Sequence, residues 1–190
     1  MLTLLYIHGF LSSPRSHKAQ QIKEYCQQRY PNVDYICPQL PPYPDECAEQ
    51  LEALVQSSRK PLCLIGSSMG GFWATWLSER YGAKAVLVNP AVDVIDLMPK
   101  YVNVPLKNYH HNETYQLQDK HLDQLKCYQV KGLKNKSNYW LMAQEGDETL
   151  DYQLAVKKYE GCKQTIEPNG DHGFQHFERF FDDIFYFFNK

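Results

Sequence analysis

Short runs of apolar residues recur along this chain, and segments with helical periodicity separate them. The runs are nearly continuous rather than alternating, which is typical of parallel strands covered on both faces. Strands of this kind that alternate with helices predict an α/β architecture with a mainly parallel sheet. Six runs fit the description: residues 2–7, 33–37, 62–65, 85–88, 139–143 and 162–166.

The helical segments carry their apolar residues on one face, as expected for helices that pack against a sheet. The first is expected to begin at Ser13 and Pro14, because serine is a common N-cap and proline suits the first turn. A stripe of phenylalanines in the last segment could bind lipid, but a helix that covers a sheet needs such a face, so we interpret it as core packing. Its residues are Phe174, Phe177, Phe180, Phe181, Ile184, Phe185 and Phe188.

Residues 90–138 interrupt the alternation of strands and helices. The segment contains Pro90, Pro99, Pro105 and the pair His110-His111, and it is too long for a plain connection. We interpret it as an insertion with short helices that lies over the functional site as a small cap. The sequence shows no internal repeat and no second core, so residues 1–190 are predicted to form one domain.

Composition limits the possible functions. The 190 residues are 43% hydrophobic and 14% aromatic, so the chain can build a core and is not expected to be disordered. A net charge of −2 gives no basic field that would attract nucleic acid. No apolar run approaches the roughly 18 residues of a membrane span. The sequence also has no zinc-type Cys/His spacing and no glycine-rich nucleotide motif, so neither a metal nor a cofactor is expected.

The cysteines indicate the cellular compartment. Six occur, at positions 26, 37, 47, 63, 127 and 162, and none forms a C-x-x-C pair. Several lie in apolar segments, where a free cysteine behaves as a small core residue. The first residues lack the basic start and the cleavage site of a signal peptide and are predicted to form a strand. A reducing cytoplasm is therefore the expected location.

The strongest chemical signal is the serine at the centre of Gly66-Ser67-Ser68-Met69-Gly70. A strand pattern ends just before this serine and a helix pattern begins just after it, which predicts a nucleophile elbow. Such a turn exposes the hydroxyl, and glycine at 66 and 70 avoids a clash where strand and helix pass close together. Because the bare G-x-S-x-G pattern also arises by chance, the prediction depends on this strand-to-helix context.

A serine nucleophile needs a base, and the base needs an orienting acid. After a nucleophile elbow the acid comes next along the chain and the histidine comes last. Asp147 lies in the loop after the strand at 139–143, and His172 lies in the loop after the strand at 162–166. Both loops leave the carboxyl ends of parallel strands, where ligands bind in such sheets. We therefore predict Ser68 as nucleophile, His172 as general base and Asp147 as its orienting acid.

Other residues compete for these roles. Asp151 and Asp171 are alternatives for the acid, and Asp147 could instead cap the helix that follows it. His176 is the main alternative base, but it is expected inside the last helix, where its mobility would be poor. His8 is interpreted as a structural support for its loop. The remaining histidines are expected on the surface of helical or cap segments: His17, His110, His111 and His121.

The tetrahedral intermediate of acyl transfer carries a negative oxygen that backbone N–H groups stabilise, and losing one donor costs about 3–4 kcal/mol. Met69 follows the nucleophile and is predicted to supply the first N–H. The second is predicted to come from Phe10, in the loop His8-Gly9-Phe10 after the first strand. If the first and third strands are neighbours, Phe10 and Ser68 meet at the switch point of the sheet.

Three segments carry a family resemblance: residues 6–14 (YIHGFLSSP), 66–71 (GSSMGG) and 170–174 (GDHGF). They resemble those of α/β-hydrolases, and more narrowly those of the small bacterial esterases of the YqiA-like family, and together they span almost the whole chain. The resemblance implies a single-domain, three-layer α/β-hydrolase fold with a reduced sheet of about six strands in the order 2-1-3-4-5-6. It also implies hydrolysis of carboxylic esters or thioesters without a cofactor.

The expected partner is a small acyl ester or an acyl thioester such as acyl-CoA. Leu11, Arg15 and Trp73 are predicted to line its pocket, together with the cap tyrosines Tyr101, Tyr109 and Tyr115. Arg15 and Lys18 could meet a phosphate of CoA, although solvated helix residues are the simpler interpretation. The alternatives are a thioesterase with little activity on oxygen esters and a non-catalytic binding protein on the same fold.

Overall fold

The computed structural model describes residues 2–108 and 114–190. Its strands are β1 (Thr3–Ile7), β2 (Asp34–Ile36), β3 (Leu62–Ser67), β4 (Lys84–Val88), β5 (Pro105–Lys107), β6 (Thr114–Gln116), β7 (Tyr139–Gln144) and β8 (Lys163–Glu167). Within these described ranges, six strands form one parallel sheet in the order β2-β1-β3-β4-β7-β8. Each predicted strand segment coincides with one of these six, so the α/β class and the strand order implied by the resemblance are confirmed.

The helices are α1 (His17–Arg29), α2 (Pro44–Ser57), α3 (Met69–Tyr81), α4 (Val94–Leu97), α5 (Asp119–Tyr128), α6 (Tyr152–Lys158) and α7 (Phe181–Asn189). The first begins later than predicted. The Ser13 hydroxyl accepts a hydrogen bond from the Arg15 N–H at 3.0 Å, and its carbonyl accepts one from the Ser16 N–H at 3.0 Å. Ser13 and Pro14 therefore form a turn ahead of α1, because the serine side chain is already satisfied locally. None of the helices in the described ranges is long and apolar enough to span a bilayer.

The sheet is covered on both faces, which produces three layers. Alternate residues of a strand point to opposite faces. Leu4 and Ile65 therefore pack with residues of α1 and α7, whereas Leu5 and Leu64 pack with residues of α2, α3 and α6. The nearly continuous apolar character of β1 follows from this, since all five of its residues are buried. The helices cover the two faces of the sheet, and the candidate active site lies at the edge where the carboxyl ends of the strands meet.

The phenylalanine stripe near the end of the chain packs into the core, as predicted, although it does not form one continuous helix. Phe177, Phe181 and Phe185 are each no more than 3% exposed. The helical part is divided into a 3₁₀ turn, Phe177–Phe180, and α7. Phe174 and His176 have left-handed φ values of 56° and 58° and precede both, because the chain must turn there to bring the aromatic face back to the sheet.

The segment predicted as a cap contains α4, a 3₁₀ turn (Met98–Tyr101), the antiparallel pair β5–β6 and α5. Leu106, Leu117 and Leu125 are buried in the same apolar cluster as Trp73 of α3. The predicted short helices are present, and the small two-stranded sheet is an addition that the sequence pattern did not indicate. The residues Tyr109, His110 and His111 lie outside the described ranges.

Candidate active site

Ser68 lies at a sharp turn between β3 and α3. Its backbone angles are φ 55° and ψ −121°, a region that costs a non-glycine residue roughly 1–3 kcal/mol. The flanking glycines allow the turn: a Cβ on Gly66 would lie 2.3 Å from the Gly70 carbonyl oxygen. A Cβ on Gly70 would lie 1.9 Å from the Ile7 carbonyl oxygen. Both positions therefore exclude any side chain, which is the reason for the glycine spacing seen in the sequence.

Backbone hydrogen bonds hold this strained turn in place. The Ser68 N–H donates to the Val88 carbonyl at 3.0 Å. The Ser68 carbonyl accepts from the N–H groups of Gly71, at 2.8 Å, and Ala91, at 3.0 Å. The turn is thus fixed to β4 and to the residues that follow it, so its geometry is determined by the sheet rather than by the substrate.

The three side chains predicted to act together form a hydrogen-bonded chain. His172 Nε2 lies 3.0 Å from Ser68 Oγ. His172 Nδ1 lies 2.9 Å and 2.8 Å from the two carboxylate oxygens of Asp147. These are the nucleophile–base and base–acid distances that general-base activation of a serine requires. The structure therefore brings Ser68, His172 and Asp147 together from three separate loops.

Asp147 is held rigidly in its loop. Its side chain is only 2% exposed, and Oδ1 accepts the N–H groups of Thr149 at 2.8 Å and Leu150 at 2.9 Å. The neighbouring Glu148 accepts the His172 N–H at 3.0 Å. Hydrogen bonds from its own N–H and from the His172 N–H lower the pKa of the Glu148 carboxyl. The two acids thus have separate tasks, since Asp147 contacts the imidazole and Glu148 contacts the backbone.

The loop after β1 adjoins the nucleophile. A Cβ on Gly9 would lie 3.2 Å from Ser68 Cβ. The buried His8 ring fixes the peptide that follows: the Leu40 N–H donates to Nε2 at 3.2 Å, and Nδ1 donates to the Gly9 carbonyl at 2.9 Å. In a trans peptide the N–H points opposite to the carbonyl. The Phe10 N–H is therefore turned away from the His8 ring, and its direction is fixed before any substrate binds.

Met69 is the first residue of α3. The first four N–H groups of a helix have no partner within the helix and carry partial positive charge. The Met69 N–H is one of these groups, and it directly follows the serine. Phe10 and Met69 also line the same two cavities, one of them together with Ser68. The two N–H groups predicted to bind an oxyanion therefore belong to residues that border the cavity containing Ser68.

Two buried amide side chains that sequence reasoning missed hold the histidine loop. Asn89 Nδ2 donates to the carbonyls of Asp171 at 2.9 Å and His172 at 3.1 Å, while its Oδ1 accepts the Gln144 N–H at 3.0 Å. Gln144 Oε1 accepts the N–H groups of Asp171 at 3.2 Å and Gln175 at 2.8 Å. Both amides are 3% exposed. Gln144 ends β7 and Asn89 directly follows β4, and the abrupt change from an apolar run to an amide at both positions is the signal that could have revealed them.

The alternative acids and histidines make other contacts. Asp151 caps α6 by accepting the Gln153 N–H at 2.9 Å, and an Asp171 oxygen accepts from Gln175 Nε2 at 2.9 Å. His176 precedes the last helical segments instead of lying within them, and its side chain is 72% exposed. His121 is buried rather than on the surface, because its ring accepts the Gln118 N–H at the start of α5.

Two cavities open beside the site. The larger has a volume of about 490 Å³, within the usual range for small-molecule pockets. Leu11 and Trp73 line it, as predicted, together with Tyr115. The smaller, of about 60 Å³, contains Ser68 and is bordered by Tyr101. Arg15 lines neither cavity and is exposed on the turn before α1, so its predicted place in the pocket is not what the structure shows.

No cluster of three or more His, Cys, Asp or Glu side chains suited to a metal ion occurs among residues 2–108 and 114–190. The cysteines in these ranges are all free. Cys47 lies in the wall of the larger cavity, and burial raises the pKa of its thiol far above neutral pH. Its sulfur is thus kept in the weakly nucleophilic thiol form.

The parallel sheet, the serine at the turn after β3 and the histidine loop after β8 define an α/β-hydrolase fold. Solved structures with this likeness include Est1E from Butyrivibrio proteoclasticus with bound ferulic acid, at 15% identity and a TM-score of 0.72, covering 98% of this chain and 88% of that one. α/β hydrolase domain-containing protein 10 from mouse is 13% identical with a TM-score of 0.70, covering 97% of this chain and 87% of that one. At such identities the likeness establishes the fold.

The chain belongs to the Uncharacterised protein family UPF0227, whose family model matches residues 3–189. A UPF0227 protein from Shewanella woodyi is 25% identical over 177 residues, which cover 87% of this chain and 89% of the relative. The family resemblance inferred from the sequence is therefore confirmed, and so is the α/β-hydrolase fold that it implied.

Proposed function

We propose that this protein is a serine esterase that hydrolyses carboxylic esters or acyl thioesters through an acyl-enzyme. The observation that carries the proposal is the unbroken chain from Ser68 Oγ through the His172 imidazole to the Asp147 carboxylate, with links of 3.0 Å and 2.8 Å. A structural role alone does not account for a serine held in a strained conformation with its hydroxyl against a histidine.

The reaction proceeds in two steps. Ser68 Oγ attacks the acyl carbon while His172 Nε2 takes the hydroxyl proton, and the C–O or C–S bond to the leaving group breaks as His172 returns that proton to it. In the second step His172 takes a proton from a water molecule as that water attacks the acyl-serine ester. His172 then gives the proton to Ser68 Oγ as the bond to the acyl group breaks and the acid leaves. Asp147 keeps the proton of the neutral imidazole on Nδ1 and stabilises the imidazolium.

The negative oxygen formed in each step is assigned to the N–H groups of Phe10 and Met69. The hydrogen bond from His8 to the Gly9 carbonyl supports this assignment, because it orients the Phe10 N–H in advance. Donors that are already oriented need no reorganisation when charge develops, which makes this one of the larger contributions to catalysis. The position of Met69 at the start of α3 adds the positive end of the helix dipole.

Labelling with a fluorophosphonate tests the proposal most directly. Ser68 Oγ is expected to attack phosphorus, with loss of fluoride and transfer of the hydroxyl proton to His172, so that one phosphonyl group is added per chain. Mass spectrometry of the intact protein and of its peptides locates the adduct. Labelling on Ser68 together with turnover of p-nitrophenyl butyrate supports the esterase. If the folded protein gives neither, it is a binding protein on this fold.

The lining of the larger cavity supports an uncharged acyl group as substrate. Among its described residues the lining has no Asp, Glu, Lys or Arg side chain; apart from the His8 ring, the side chains are apolar or uncharged polar ones such as Gln39, Gln50 and Asn108. Burying a carboxylate without a partner costs several kcal/mol. We therefore assign the acyl group to this cavity and expect it to be neutral and largely apolar.

A matched pair of substrates measures this preference. The p-nitrophenyl ester of hexanoate is expected to exceed the mono-p-nitrophenyl ester of adipate in kcat/KM by about 100-fold, because about 3 kcal/mol is lost when the terminal carboxylate is desolvated. The leaving group is identical and the acyl chains have equal carbon number, so the difference is the terminal carboxylate of adipate in place of the methyl group of hexanoate. Equal kcat/KM values for the two esters would contradict the neutral pocket.

The leaving group is tested separately. Comparison of a hexanoyl oxygen ester with hexanoyl-CoA distinguishes an esterase from a thioesterase, since the acyl group is the same. An ethyl ester of ferulic acid is a further probe, because Est1E binds ferulic acid on a similar fold. Lys100 borders the smaller cavity and is the side chain to replace if the CoA ester is preferred.

A further inference from the structure

A lysine of α1 contacts the loop that carries His172. Lys18, in the first turn of α1, donates from Nζ to the carbonyl oxygen of Gly173 at 2.5 Å. Gly173 directly follows His172, so the contact joins the start of one helix to the residue beside the proposed base. The two partners are 155 positions apart in the sequence, and this contact therefore links distant parts of the chain.

Lys18 is partly buried, which makes its charged ammonium form less favourable than it would be in water. Burial lowers the pKa of its ammonium to about 8, although the carboxylates of Asp171 and Asp147 act in the opposite direction. Those two acids belong to the two loops that supply the proposed base and its orienting acid. A lysine on a surface helix usually extends into water, where its charge is solvated. Here the ammonium is instead held against the histidine loop, close enough to both carboxylates to be stabilised by them.

The other contacts of this loop come from different directions. Asn89 and Gln144 hold it from the end of the sheet, and Glu148 holds the His172 N–H from the acid loop. Lys18 holds it from the side of α1. Because α1 follows the loop that contains Phe10, this contact also connects the proposed oxyanion loop with the proposed base.

We propose that Lys18 is a positioning residue, whose hydrogen bond to the Gly173 carbonyl ties α1 to the histidine loop and keeps the imidazole aimed at Ser68. The inference rests on the proposed function, because it assigns a role in aiming the base of that reaction. It adds a cationic side chain outside the three proposed catalytic residues and outside both cavities.

Replacement of Lys18 tests the proposal. Lys18→Met keeps an unbranched side chain of nearly the same length but removes the donor and the charge, and it is expected to lower kcat for p-nitrophenyl butyrate about tenfold with little change in KM. Lys18→Arg retains both donor and charge and is expected to recover most of the loss. The matched control is Lys23→Met, on the exposed face of the same helix, which is expected to keep the wild-type kcat.

Stability separates positioning from simple packing. Below pH 8 the folded wild type bears the cost of a partly buried ammonium, so Lys18→Met is expected to have a Tm no lower than that of the wild type. Between pH 8 and the ordinary lysine pKa of about 10.5 the folded protein loses this proton before the unfolded chain does, which stabilises the wild type as pH rises. Any advantage of the methionine variant should therefore shrink over that range.

The basic side of the pH profile provides a second readout. If the ammonium aims the base, kcat of the wild type is expected to fall above about pH 8, whereas Lys18→Arg should extend the plateau because arginine stays charged. An unchanged kcat in Lys18→Met overturns the proposal. So does a kcat that falls only in parallel with Tm and is not recovered by Lys18→Arg.

The rate of fluorophosphonate labelling separates this proposal from the proposed function. If the wild type neither turns over esters nor is labelled, the esterase proposal has failed, and the lysine has no base to position. If the wild type is labelled on Ser68, the rate for Lys18→Met is expected to fall about as much as kcat. Equal labelling rates for an active wild type and Lys18→Met would refute the role of Lys18 alone.

Discussion

Replacing Ser68 with alanine is expected to reduce hydrolysis of p-nitrophenyl butyrate by about 10⁶-fold, the scale of loss when a serine hydrolase lacks its nucleophile. The variant removes the single oxygen that lies 3.0 Å from His172 Nε2. The contacts that hold the turn are made by backbone groups and remain. The fold should therefore survive, and the thermal unfolding curve should stay close to that of the wild type. The measurements are kcat and Tm on the same preparation.

The adjacent serine provides the control. Ser67 is the last residue of β3, is only 7% exposed and lies outside the hydrogen-bonded chain of Ser68, His172 and Asp147. Ser67→Ala is therefore expected to retain most of the activity, even though it alters the same dipeptide. Activity that persists in Ser68→Ala and disappears in Ser67→Ala would show that the wrong serine has been assigned. Activity that persists in both would exclude a serine mechanism at this turn.

Replacing Asp147 with asparagine is expected to lower kcat by about 10⁴-fold, as when the orienting acid of a serine protease is changed to its amide. The amide can donate to His172 Nδ1, which leaves the imidazole proton on Nε2, facing the serine. An imidazole in that form cannot accept the proton of Ser68. The asparagine oxygen can still accept the N–H groups of Thr149 and Leu150, so the loop should remain folded.

Asp151→Asn is the matched control for this change. Asp151 is four residues further along and caps α6, and asparagine is an equally good N-cap residue. The variant is expected to keep the wild-type kcat and Tm. Because asparagine at 147 can deamidate to aspartate, the mass of the variant should be checked before its residual rate is interpreted. A kcat of Asp147→Asn within tenfold of the wild type would contradict the assignment of the acid.

The chemistry-bearing loops could be predicted because the sheet determines where they lie. In a parallel sheet every strand ends at the same edge, so the loops after strands β3, β7 and β8 all lie at that edge and can converge there. Ser68, Asp147 and His172 occupy those positions, and the structure brings them within hydrogen-bonding distance. Glycine at 66 and 70 could be explained in advance for the same reason, since it permits a turn that a side chain would block.

Other features could not be predicted because they depend on contacts between distant segments. Asn89 acts on carbonyl groups 82 and 83 positions away, and no local pattern indicates which backbone atoms an amide will reach. The left-handed turn at His176 likewise places this residue outside the last helix. Spacing alone suggested a continuous helix from Phe174, because phenylalanines on both sides of the turn face the same core.

The Asn89–Gln144 pair has a consequence for how members of this family could diverge. These amides attach the histidine loop to the ends of β4 and β7, the strands that border the intervening segment of residues 90–138 on either side. Shortly after β4, the Ala91 N–H donates a hydrogen bond to the Ser68 carbonyl and so holds the turn that carries the serine. Changes of sequence between Ala91 and β7 would replace residues that line the larger cavity and leave the positions of Ser68, His172 and Asp147 unchanged. Substrate specificity could thus change by substitution, insertion or deletion in this segment without any change in the proposed catalytic residues.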